Sequence, residues 1–197
     1  MMKLISALAF LIALGTHSAH ARQPTLVDEL SRAIQSRTDK APSTAQIESG
    51  YSPEGSAERL VLKTINASQK SIRLAAYSFT SPKVVRALTD AHRRGVDVRV
   101  VADEKGTTSK SGKAALNLLA NAGIAVRTND RYVIHHDKYI VSDGLHVQTG
   151  SFNYSQAAAK ANSENVLVIW HNAELAASYL RHWQSRYDEG RDYRPAY

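Results

Sequence analysis

Ser81-Pro82-Lys83-Val84-Val85-Arg86-Ala87-Leu88-Thr89-Asp90-Ala91-His92-Arg93-Arg94-Gly95-Val96-Asp97-Val98-Arg99-Val100-Val101-Ala102 reads as a helix followed at once by a strand. Ser81 offers a hydroxyl cap, Pro82 fills the first helical position where a missing N–H costs little, and Gly95 stops the helix. The valine-rich run from Val96 is then what a strand covered on both faces carries. A second β-branched run, Asn165 to Trp170, has the same character, and the two are expected in the middle of one sheet.

The same alternation extends both ways. Strands are expected at Gln46 to Tyr51, Ser71 to Ser78 and Ile124 to Thr128, with helices at Ser56 to Ala67, Lys113 to Asn121 and Ala173 to Arg186. Tyr139 to Ser142 and His146 to Thr149 read as a pair of adjacent strands. The fold class is α/β, a mixed sheet flanked by helices on both faces, in one domain over 45–190 with a C-terminal tail at 191–197. Chemistry in such sheets sits in loops at strand ends, here Asp103 to Gly112, Asp130 to His136 and Gly150 to Ser155.

At the start of the chain, Lys3 precedes an apolar run from Leu4 to Leu14 that ends in Ala19-His20-Ala21. That run is short for a bilayer and its small-x-small ending fits cleavage, so 1–21 is expected to be a signal peptide and the product exported, periplasmic or secreted, with no stable membrane anchor. Residues 22–44 read as an appendage, a short amphipathic helix from Thr25 to Arg37 and a polar linker. The chain has 197 residues, 43% of them hydrophobic, enough to bury a core. It contains no cysteine, which excludes a disulfide framework, a thiolate metal site and a cysteine nucleophile. Losing the leader lowers the formal charge of +7 by one and leaves a basic protein suited to a polyanion.

The stretch that carries chemistry is His135-His136-Asp137-Lys138-Tyr139-Ile140-Val141-Ser142-Asp143, followed six residues later by Gly150-Ser151-Phe152-Asn153. In an extended segment, residues two apart share a side, so His136 and Lys138 face one site. Gly150 and Ser151 open a turn from which Asn153 can present an amide.

In this spacing the chain resembles the phospholipase D superfamily, with its HKD motif, and in particular the exported, single-motif, EDTA-resistant bacterial endonucleases. The resemblance runs from about Ala45 to Tyr187. It implies that His136 is the nucleophile, forming a covalent phosphohistidine, and that Lys138 and Asn153 bind the phosphate. Ser151 matches a hydroxyl near the site, Glu164 the carboxylate that orients the imidazole, and Asp143 a structural member of the motif. No metal or other cofactor is implied. The roles make physical sense: a carboxylate on one ring nitrogen readies the other for attack, while Lys138 and Asn153 stabilise charge on the non-bridging oxygens.

The leaving oxygen needs a proton from a second group. Only Lys138 has a histidine two residues before it, so a homodimer with a composite site is expected, each His136 taking one role. The leading reading is a metal-independent, sequence-nonspecific endonuclease of DNA, with RNA as a second nucleic-acid substrate. A lipid phosphodiesterase and a non-catalytic nucleic-acid-binding accessory of a DNA transfer system are the alternatives.

Other candidates have plainer readings. His135 is expected to be a structural hydrogen-bonder, with Asp137 pointing away from His136; the histidines at 92, 146, 171 and 182 read as surface or boundary residues. Tyr77 and Phe79 read as core. The lysines at 105, 110 and 113 suit either a solvated loop or phosphate contacts. Arg181, Arg186, Arg191 and Arg194 among Trp183, Tyr187, Tyr193 and Tyr197 suit packing on the sheet better than base stacking.

Overall fold

Ser81 to Asp103 forms the helix and strand its sequence dictates: the Ser81 hydroxyl accepts from the Val84 N–H at 3.4 Å, and the chain is extended from Asp97. In this computed structural model of the protein, Thr25 and residues 45–195 are described. The expected leader, the appendage apart from Thr25, and Tyr197 lie outside the described residues. The chain divides into two units, Met1–Thr38 and Asp39–Tyr197, and the second holds all the described helices and strands.

Its elements in chain order are β1 (Gln46–Ser52), α1 (Ser56–Ala67), β2 (Ser71–Ala76), α2 (Pro82–Arg93), β3 (Asp97–Asp103), α3 (Lys110–Asn121) and β4 (Ala125–Asn129). The second half adds β5 (Tyr139–Ser142), β6 (His146–Gly150), α4 (Gln156–Lys160), β7 (Glu164–Trp170), α5 (Ala173–Asp188) and β8 (Arg191–Asp192). The eight strands form one sheet in the order β1-β7-β6-β5-β2-β3-β4-β8. β2, β3 and β4 are mutually parallel, as crossover helices require, and every other pairing is antiparallel. The mixed α/β sheet expected from the sequence is therefore present.

Several details differ from expectation. β3 and β7 are both interior, but β5 and β2 occupy the centre; their apolar runs are shorter and gave a weaker signal. β2 ends at Ala76, so Tyr77 leaves the ladder. α3 starts at Lys110 because the Ser109 hydroxyl caps the Gly112 N–H at 3.0 Å, which puts Lys110 and Lys113 on a helix. Arg191–Asp192, expected in a tail, pairs with Arg127 and Thr128 at the sheet edge.

α1, α2, α3 and α4 pack on one face around Ile65, Ile72, Leu74, Leu88, Leu119 and Ile140. α5 alone covers the other, its Trp183 buried and donating to the Leu74 carbonyl at 3.0 Å. Tyr187 is buried beside it, so these two aromatics serve packing. α5 lies over the central strands and leaves β1 and β7 open on its side, where Ile47, Tyr51 and Leu167 are 60%, 54% and 42% exposed.

Candidate active site

All three loops singled out in the sequence meet at one end of the sheet. β2, β3 and β4 finish there, and the antiparallel register brings the start of β5, the end of β6 and the start of β7 to the same edge. An open cleft of about 450 Å³ lies there, lined by His136, Lys138, Tyr139, Thr149, Gly150 and His182 among others. Asp143 sits at the opposite end of β5. Its carboxylate accepts the N–H groups of Gln69, Lys70 and Ser71 at 2.7 to 3.1 Å, with its own φ at 57°, which joins the β5–β6 turn to the start of β2.

Burial raises the Asp143 pKa, but those three backbone donors outweigh it and hold it below the usual aspartate range. A depressed carboxylate stabilises the fold above its unfolded value of about 3.9, and that contribution is lost as pH falls through the lower folded value. Asp143→Asn tolerates the same left-handed backbone and removes only the charge. It is expected to unfold at lower denaturant at pH 7 and to lose less stability than the parent between about pH 5 and 3. Equal acid sensitivity in the two proteins contradicts this assignment.

His136 precedes β5 and its imidazole is exposed, making no hydrogen bond among the described residues. It rests on Tyr77, ring centroids 4.8 Å apart and tilted by 55°. Lys138 is 7% exposed; its Nζ donates to the His136 carbonyl at 2.8 Å and lies 5.3 Å over the same Tyr77 ring. Burial lowers the Lys138 pKa, opposed by the charges of Asp137 and Glu164. A buried ammonium with unused donor capacity is suited to an anion. Tyr77, read as core from the sequence, is instead the platform for both residues; β2 ends two residues earlier than expected, at Ala76, which frees Tyr77 from the ladder.

Tyr77 is held in turn by Gly106, where a Cβ would come within 2.5 Å of the Tyr77 carbonyl and 3.0 Å of its ring. Gly106 is fixed by Asp103, the last residue of β3 and 2% exposed. Asp103 Oδ1 accepts the Gly106 N–H at 2.6 Å, and Oδ2 accepts the His135 N–H at 2.7 Å. One buried carboxylate thus ties the platform loop to the segment that carries His136.

Ser151, Asn153 and Glu164 border the same edge. A Cβ on Gly150 would collide with the Asn165 carbonyl, so only glycine lets β6 end this close to β7. The Ser151 hydroxyl donates to Glu164 Oε2 at 2.6 Å and accepts from the Asn165 N–H at 3.0 Å. Asn153 Oδ1 accepts from the Ser78 N–H at 3.5 Å, next to the Tyr77 platform. Within its own chain Glu164 is engaged by Ser151. Its other oxygen accepts from Asn162 at 2.9 Å, and among the described bonds none joins it to His136. The reason is position: Glu164 opens β7, β6 intervenes before β5, and two strand spacings put roughly 10 Å between the backbones. Its carboxylate reaches Ser151 and the field at Lys138 instead.

Asp137 and His182 were passed over in the sequence. Asp137 turns to α5 and receives the His182 Nε2 at 2.9 Å, while His135 Nε2 lies 3.3 Å from the same oxygen, off the line of a hydrogen bond. Burial raises the Asp137 pKa, but the two imidazoles overcome it and hold it at about 2. His182 lies 45 residues away in sequence, and no local spacing could have announced this pair. His146 and His171, also read as surface or boundary residues, meet with ring centroids 4.7 Å apart. Among the described residues no group of three or more His, Cys, Asp or Glu is placed to hold a metal ion.

Comparison with known proteins locates this architecture. The family model "Cardiolipin synthase, PLD-like domain" matches residues 61–187. A protein named Phospholipase D from Rickettsia bellii (strain RML369-C) is 37% identical over 144 residues, 73% of this chain and 70% of that one. Mitochondrial cardiolipin hydrolase of Xenopus laevis is 33% identical over 131 residues, 66% of this chain and 60% of that one. The crystal structure of a phospholipase D family member, Nuc from Salmonella typhimurium, superposes with a TM-score of 0.76 at 51% identity, covering 76% of this chain and 99% of that one. NucT from Helicobacter pylori shares the fold, with a TM-score of 0.68 at 19% identity over 76% of this chain and 99% of its own. With the sheet, the motif spacing and these matches agreeing, the chain belongs to the phospholipase D superfamily and is a phosphodiesterase of that class.

Proposed function

We propose that this protein is an exported, metal-independent endonuclease that cleaves DNA, and RNA as a second substrate, without sequence preference through a phosphohistidine at His136. The observation that carries this reading is the exposed, unbonded His136 imidazole set beside the buried Lys138 ammonium on the Tyr77 ring. An anion drawn to Lys138 brings its phosphorus to the imidazole. The open cleft and the basic balance of the chain fit a charged polymer bound by its backbone. Similarity at 51% identity to the structure named Nuc supports the same choice.

In the first step a His136 ring nitrogen bonds to phosphorus as the P–O bond to the leaving group breaks. The leaving oxygen takes a proton from a protonated second imidazole. Water then attacks phosphorus, gives its proton to that second imidazole, and the P–N bond breaks. Lys138 and Asn153 stabilise the non-bridging oxygens throughout.

The second imidazole is the His136 of another copy, because the described cleft holds one HKD motif. Sheet geometry supports a copy docking nearby. Tyr139 on the cleft floor pairs with Thr149, Thr149 with Leu167 and Leu167 with Ser49, so cleft and uncovered apolar face are one continuous surface. Export rests on the leader-like segment 1–21. No helix among the described residues is long and apolar enough to cross a membrane.

A lipid substrate is the second reading, favoured by Val133 and Ile134, 84% and 50% exposed just before the motif. The deciding experiment presents plasmid DNA, RNA and phosphatidyl lipids to the purified protein in excess EDTA. DNA cleavage undiminished by EDTA is expected. Lipid turnover without DNA cleavage reverses the ranking.

A further inference from the structure

Beside the main cleft is a smaller cavity of about 220 Å³, sharing His136, Asp137 and His182 with it and otherwise walled by Tyr132, Ile134, His135 and Arg186. We infer that it is a subsite for one nucleobase of the nucleotide adjoining the scissile phosphate, an inference that rests on the endonuclease reading.

Three features define its ligand. First, its size is well below the roughly 300–1,000 Å³ of sites that enclose a whole drug-sized ligand, which suits one planar ring. Second, it has an apolar wall and a flat cationic one. Ile134 is half exposed, and the Arg186 guanidinium lies 4.9 Å over the Tyr132 ring, whose hydroxyl is fixed to Glu189 at 2.7 Å. Bases stack on guanidinium and aromatic planes whatever their identity, which suits an enzyme without sequence preference.

Third, His135 in the wall has a side chain 2% exposed; its Nε2 lies 3.3 Å from Asp137 Oδ2, off the line of a hydrogen bond, and its buried Nδ1 has no hydrogen-bond partner among the described residues. Buried polar atoms left unsatisfied call for a partner supplied from elsewhere. A nucleobase edge carries both donors and acceptors, whereas an acyl chain offers neither. Ile134, which favours a lipid when viewed alone, is therefore one wall of a cavity whose other walls are polar or aromatic. Sharing His136 with the main cleft places the ring beside the reacting phosphate.

The test uses small esters with a common leaving group in excess EDTA: thymidine 5′-(p-nitrophenyl) phosphate, its 3′ isomer, and methyl p-nitrophenyl phosphate. The ratio of kcat/KM for a thymidine ester to that for the methyl ester reports occupancy of the subsite. One of the two thymidine esters is expected to exceed the methyl ester by about tenfold or more in the parent protein, and Ile134→Ser or Arg186→Met to shrink that ratio severalfold. A parent ratio near one needs no variant to interpret and overturns the subsite while leaving DNA cleavage standing. A ratio unmoved in both variants overturns it equally. Failure to cleave DNA or any ester, with phosphatidyl lipid turned over, removes the endonuclease reading and the subsite with it.

Discussion

Replacing His136 by alanine is expected to lower phosphodiester cleavage by about 10⁴-fold or more, because it removes the exposed, unbonded imidazole that stands beside the Lys138 ammonium. Stability should hardly change. The imidazole is exposed, and its one described contact is the tilted ring packing on Tyr77 at 4.8 Å; surface substitutions of this kind stay within about 0.5 kcal/mol. A large loss of activity at an unchanged melting temperature separates chemistry from folding. In the parent, the rate should be bell-shaped in pH, since one imidazole must be neutral and its counterpart protonated. Burial of Lys138 adds to the alkaline fall, because its ammonium is lost at lower pH than a free lysine's. A rate that climbs steadily with pH contradicts the pairing.

The second large effect is expected at a residue that does not touch substrate. Asp103→Ala removes the acceptor of both the Gly106 and the His135 N–H groups, at 2.6 and 2.7 Å, from a position 2% exposed. Breaking a buried charged hub of this kind costs about 3–5 kcal/mol. For a domain of this size that is roughly 6–20 °C in Tm. Cleavage should fall as well, since Gly106 positions Tyr77 and His135 leads directly into His136. Asp103→Asn keeps one acceptor and should lie between parent and alanine variant on both measures. A melting temperature within about 2 °C of the parent shows that the two loops are held by something else.

How far the sequence alone reaches depends on the range of the interactions. Ser81, Pro82 and Gly95 bracket a helix because caps and breakers act within one turn, and β-branched runs mark strands because burial on both faces is a local compositional demand. That His136 and Lys138 border one cleft was legible for the same reason, two residues apart on an extended segment. Tyr77 was not: its role depends on β2 ending two residues early, at Ala76, and on Gly106 approaching from the next loop. Asp103 did carry a signal, an acid closing an apolar strand at the functional end of a parallel sheet, though nothing local names its two donors. Glu164 meets Ser151 because strand order sets β7 beside β6, a neighbour that sequence spacing does not name.

Short α4 and β8 escaped for a different reason. Gln156–Lys160 has five residues and Arg191–Asp192 only two, so neither shows a period. β8 is held by its pairing with β4 and by the ion pair of Arg127 with Asp192 at 2.8 Å. Tertiary context creates it.

The central claim is that His136 bonds to phosphorus without help from a metal, and trapping that bond tests it most directly. The protein is mixed with a short DNA duplex in excess EDTA, quenched within milliseconds under alkaline denaturing conditions that preserve phosphohistidine, digested and read by mass spectrometry. The account predicts a nucleotide adduct on the peptide that contains His136, appearing before product and absent from His136→Ala. Full turnover in EDTA with no adduct at any quench time, or turnover abolished by EDTA and restored by a divalent metal, contradicts it.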